Sequence, residues 1–118
     1  MSTRTRQYWS DAEDRWPALQ QFLACYLHQD WPVEYRTPDE AVDAAVADSD
    51  MPRLMRVCRE WTKWNNAAGW RDDVGRSVGY GLGVNLLFPD DVAARQFMNG
   101  VYEKLVVAIR KVEPGWKP

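Results

Sequence analysis

The sequence predicts an all-α fold, a single-domain bundle of about five helices with a Gly-rich irregular segment before the last. Three observations carry this. Residues 16–31, WPALQQFLACYLHQDW, hold no formal charge before Asp30 if His28 is neutral, in a chain that is 27% charged. A helix made of them can be buried on most of its circumference. Thr37-Pro38-Asp39-Glu40 combines a Thr N-cap, Pro at the first helical position and Glu at the third. Finally, Ala94, Phe97, Met98, Val101, Leu105, Ala108, Ile109 and Val112 keep one face apolar over more than five turns.

Length and composition agree with one globular domain spanning residues 1–118, with residues 1–9 expected to be flexible. At 118 residues and 46% hydrophobic, the chain can bury a core without disulfide or metal staples. Seven Trp must fill that core or sit at an interface. A net charge of −2 argues against a dedicated nucleic-acid binder. The longest apolar runs, 84–88 and 105–109, are far short of a bilayer span, and no membrane partner is expected. Residues 8–16 are polar and acidic where a secretory leader needs an apolar stretch, so a cytoplasmic protein is expected. In a reducing compartment Cys25 and Cys58, each inside an apolar helical pattern, read as buried thiols.

Along the chain, residues 1–7 read as a polar, frayed leader. Ser10 to Glu13 is a capping pattern that starts a short helix before Pro17. Pro17 suits the first turn of a central helix whose stripe is Leu19, Phe22, Leu23, Tyr26 and Leu27, with Gln21, Cys25 and His28 on its flank. Pro32 ends it. The helix begun at Thr37 runs to about Ala47 on the thin apolar face of Val42, Ala45 and Val46. The next is capped by Asp50; it buries Leu54, Val57, Cys58, Trp61, Trp64 and Ala68 and turns Arg53, Arg56, Arg59 and Lys63 outward. Gly69 stops it. Gly75, Gly79, Gly81 and Gly83 then allow a short helix over 72–78 and an irregular run over 82–88. The last helix starts at Asp90 and Asp91, ends with Arg110 and Lys111 before Pro114-Gly115, and is expected to pack along the central helix.

Few residues could carry chemistry. The Gly79-x-Gly81-x-Gly83 run lacks the spacing and preceding strand of a dinucleotide site. Cys25 and His28 are three apart, with no further pair to complete a zinc site and no second acid or base, so neither metal nor catalysis is expected. Asp72-Asp73 and Asp90-Asp91 are neighbours that point about 100° apart on a helix, which suits helix starts better than an acid/base dyad. No cofactor and no small-molecule substrate is implied. The basic face of Arg53, Arg56, Arg59 and Lys63 supports an alternative, a nucleic-acid-binding or regulatory module.

Charge placement is more informative. Between Asp30 and Asp50 lie seven of the 17 acidic residues against one base, Arg36. Such a cluster is either a solvated face or a surface that attracts a basic protein. Trp31 and Tyr35 at its border supply the aromatic anchors an interface uses.

The run Phe22-Leu-Ala-Cys-Tyr-Leu-His-Gln-Asp-Trp31, followed by Glu34-Tyr35 and Thr37-Pro-Asp-Glu-Ala41, closely resembles the opening of the immunity proteins of bacterial contact-dependent growth inhibition systems. Their pattern is FxxCYxHQDW, then EY, then a TPEEA-like helix start. The resemblance covers about the first 45 residues and implies a small helical protein that binds and neutralises the C-terminal toxin domain delivered by a neighbouring cell. Such toxins are often nucleases with basic clefts, which an acidic surface would block without chemistry. The toxin-binding residues expected on this basis are Asp30, Trp31, Glu34, Tyr35, Asp39, Glu40 and Asp43.

Overall fold

A computed structural model describes residues 3–118, and among these the chain is helical with no strand. The helices are α1 (Thr3–Arg15), α2 (Pro17–Ala24), α3 (Trp31–Glu34), α4 (Pro38–Asp48), α5 (Met51–Trp64), α6 (Val74–Arg76) and α7 (Asp91–Val112). Two π-helical turns, Asn65–Gly69 and Ser77–Gly81, follow α5 and α6. The seven α-helical segments exceed the expected five or so because α3 and α6 are single turns.

Three helix starts follow from their local sequence. The Thr37 hydroxyl accepts from the Glu40 amide at 3.1 Å, Asp50 accepts from the Arg53 amide at 3.0 Å, and Asp90 from the Ala93 amide at 2.9 Å. Each cap satisfies an amide that the first helical turn leaves without a partner. Two starts differ. The helix expected at Ser10 begins at Thr3, so residues 3–9 are its first turns; residues 1 and 2, also assigned to the leader, lie outside the described residues. The expected central helix over 16–31 ends at Ala24. There the Leu27 carbonyl accepts from the Asn85 amide at 2.8 Å, while the Trp31 amide turns to His28. A continuing α-helix would need the Leu27 carbonyl for Trp31, so a bond from a distant segment replaces the last turns. With the helix gone, Cys25 is exposed rather than buried; Cys58 is buried as expected.

The centre of the bundle is α5, which packs against α2 on one side and α7 on another. The expectation that the last helix lies along residues 16–31 is corrected accordingly: α7 packs mainly on α5, α4 and α6. The core gathers Leu19, Phe22, Leu23 and Leu27 with Val57, Trp61 and Trp64 and with Met98, Leu105 and Ile109. Buried indoles need acceptors. Trp61 donates to the Met98 carbonyl and Trp64 to the Ser77 hydroxyl, both at 2.9 Å.

Two buried polar side chains hold the helices in register. The Gln20 amide nitrogen donates to the carbonyls of Trp9 and Gly81, tying α1, α2 and the second π turn together. Glu60 reaches from α5 to the first turn of α2, where one carboxylate oxygen accepts from the amides of Ala18 at 2.7 Å and Leu19 at 3.2 Å.

Candidate functional site

The seven expected site residues lie on α3, α4 and the residues flanking α3, and the fold does not bring them to one site: Asp30 borders one groove, Asp39 and Asp43 another. Asp30 precedes α3, and its amide donates to His28 Nδ1 at 3.1 Å. The other ring nitrogen of His28 lies 3.7 Å from a Glu34 oxygen. Trp31 is half-buried, and its indole N–H donates to the Asn85 carbonyl at 2.9 Å. Of these, His28 and Asp30 border a groove of about 800 Å³ whose other wall is drawn from the segment between Gly75 and Phe88. Tyr35 sits behind them, its ring 6.4 Å from that of Tyr26.

Asp39 and Asp43 instead border a groove shared with Lys104 and Lys111 of α7. Asp43 accepts from Lys104 Nζ at 2.6 Å, so part of the α4 charge is neutralised within the protein. Glu40 is also engaged: its carboxylate accepts from the Arg36 amide at 3.0 Å while its own amide donates to Thr37. This reciprocal capping box gives Glu40 a structural task. Of the five acidic residues, Asp30 and Asp39 are exposed with no side-chain partner among the described residues, and Glu34 is exposed beside His28.

A further part of the surface escaped sequence reasoning. The 82–88 segment is extended, with Val84 buried, Leu86 and Phe88 half-buried, and Asn85 and Leu87 turned out. Leu87 is fully exposed, at 101%; Val33 on α3 is 87% exposed and Tyr80 49%. The period-two alternation of apolar residues in this segment is the signal that could have separated its two faces. Gly83 adopts φ +67°, and a Cβ there would meet Ala24 at 2.8 Å, so glycine is required for the chain to turn into the segment.

The other candidates are occupied by structure. Asp73 accepts from the Tyr8 hydroxyl at 2.8 Å and pairs with Arg71, and Asp90 caps α7. Burial pushes the Cys58 thiol up to about 11, far from the thiolate a nucleophile needs. His28 lies half-exposed at the groove rather than in the core. On the basic face of α5, Arg56 pairs with Glu60 and Arg59 lies 5.7 Å from the Trp116 ring; among the described residues no ion pair joins this face to α4. No group of three or more His, Cys, Asp and Glu among the described residues could hold a metal ion, and no helix is long and apolar enough to cross a membrane.

The chain belongs to the CdiI immunity protein family, whose model matches residues 15–105, from the last residue of α1 into α7. This is an immunity family of contact-dependent growth inhibition, and such proteins are generally not enzymes. No match was found among curated proteins or among solved structures.

Proposed function

We propose that this chain acts as one unit that binds a cognate toxin domain in the cytoplasm and neutralises it by covering its active or substrate-binding surface. The carrying observation is the set of exposed carboxylates Asp30, Glu34 and Asp39 on the stretch that also holds Trp31 and Tyr35, where Arg36 is the one Lys or Arg between Asp30 and Asp50. A surface of this sign accelerates encounter with a basic partner. The target that fits it best is a nuclease, whose cleft is positive because it must hold phosphates. Binding alone suffices for protection, so no residue of the chain needs a catalytic role.

Charge reversal tests these carboxylates, at positions the fold does not use for capping. Asp30→Lys, Glu34→Lys and Asp39→Lys together should slow association with the cognate toxin domain by about tenfold or more at low salt. The deficit should shrink as salt rises, and thermal stability should stay unchanged. Equal association rates at low salt would remove these carboxylates from the contact. Failure of the unaltered chain to bind the toxin domain or to protect cells producing it would remove the neutralising function itself.

A further inference from the structure

We infer that Leu87, with Tyr80 beside it on the same groove, is the apolar anchor of the toxin contact, and that it enters an apolar socket rimmed by basic residues on the toxin domain. This rests on the toxin-binding reading above and specifies which side chains grip the partner. A single exposed leucine is ordinary on a protein surface; its setting distinguishes this one.

Leu87 is presented rigidly. Its two neighbours turn inward, the Phe88 ring lying 5.7 Å from that of Phe97. Upstream, Val84 is buried, the Asn85 amide donates to Leu27 at 2.8 Å and the Asn85 carbonyl accepts from Trp31 at 2.9 Å. A side chain held out by a fixed backbone loses little freedom on docking. Beside it the groove has room for a partner. That space, about 800 Å³, is bordered by Gly75 and Gly79, which carry no side chain to fill it. The half-exposed Tyr80 gives that space an aromatic wall.

The rim selects the partner. Asp30 lies on the groove, Asp91 approaches Gly75, and Glu34 sits beyond His28, against Arg76 and the His28 imidazole. A second copy of this chain would bring like charge against like, which opposes self-association through this face. A basic protein with an apolar socket matches both the charge and the protruding side chain.

The test measures affinity of the full chain for an inactivated form of its cognate toxin domain. Leu87→Ala should weaken binding about 30-fold or more, as a central anchor does, and Tyr80→Ala should weaken it by a smaller factor. Val112→Ala, at an exposed position on the last turn of α7, should bind as the parent does. Because Leu87 is fully exposed, its variant should melt with the parent, which separates lost contact from lost fold. If the parent binds and both groove variants bind equally well, the anchor is overturned and the neutralising function stands. If the parent does not bind, both fall. A concentration-dependent dimer of the free chain that Leu87→Ala abolishes would also overturn the assignment.

Discussion

Glu60 offers the sharpest test of how this bundle is held together. At the start of α2 the usual solution is unavailable: Trp16 occupies the N-cap position, and an indole has no acceptor to offer. Pro17 contributes no N–H, and the Gln20 amide is taken by the Trp16 carbonyl at 3.0 Å. That leaves the amides of Ala18 and Leu19, and Glu60 accepts both with one oxygen. Replacing it by alanine strands two donors, one of them buried, at a cost of about 1–3 kcal/mol per fully buried group. Partial hydration of Ala18 lowers the total, giving an expected loss of about 2–4 kcal/mol for Glu60→Ala. With an unfolding entropy of about 0.25 kcal/mol/K for a chain of this length, the melting temperature should drop by about 8–16 °C. Glu60→Gln keeps one acceptor oxygen and should lose about 1 kcal/mol. Arg56→Ala should change stability by less than about 0.5 kcal/mol, because the arginine side of that pair is 66% exposed. Calorimetric melting of the three variants decides the matter. A loss below about 1 kcal/mol for Glu60→Ala, within the range of an ordinary substitution, would show that water caps α2 equally well.

Two further outcomes follow from local geometry. Gly83→Ala forces a side chain into the left-handed region and against Ala24, and should cost about 1–3 kcal/mol in urea unfolding; an unchanged midpoint would refute the requirement for glycine. Tyr26 has its hydroxyl pushed up to about 12 by its 2.6 Å hydrogen bond to the Asp48 carboxylate, with burial adding to the shift. Since the folded value lies above the ordinary 10, this contribution to stability is fully present below pH 10 and is lost as pH rises through 12. Tyr26→Phe should therefore flatten the alkaline end of the stability curve, and ultraviolet titration should show one tyrosine ionising late; coincident curves for variant and parent would contradict it.

The parts of the fold that were legible in the sequence are those fixed within a few residues. The caps at Thr37, Asp50 and Asp90 depend on a side chain reaching an amide three positions ahead, and that spacing is visible in one dimension. The fate of residues 25–31 depends on Asn85, more than fifty positions away, and no local signal announces it. Glu60 was illegible for the same reason: a lone carboxylate in an apolar stripe does not show which helix it will cap. The expected acidic surface is present on α3 and α4, yet Lys104 neutralises Asp43 through a pairing that only the packing of α7 on α4 creates. Leu87 stood between apolar neighbours in a run that reads equally well as buried packing, until the inward direction of Val84, Leu86 and Phe88 separates the two faces.

The extended segment before α7 has a consequence for how such a protein can change. Its inward residues and its two backbone bonds to Leu27 and Trp31 fasten it to the helices, whereas the side chains of Asn85 and Leu87 are exposed, that of Leu87 fully. Altering the residue at 87 or 85 therefore reshapes what a partner meets while leaving the core packing and both bonds in place. On the contact proposed above, recognition can drift there at little risk to folding, a separation that a lineage facing a succession of different toxins could use without rebuilding its bundle.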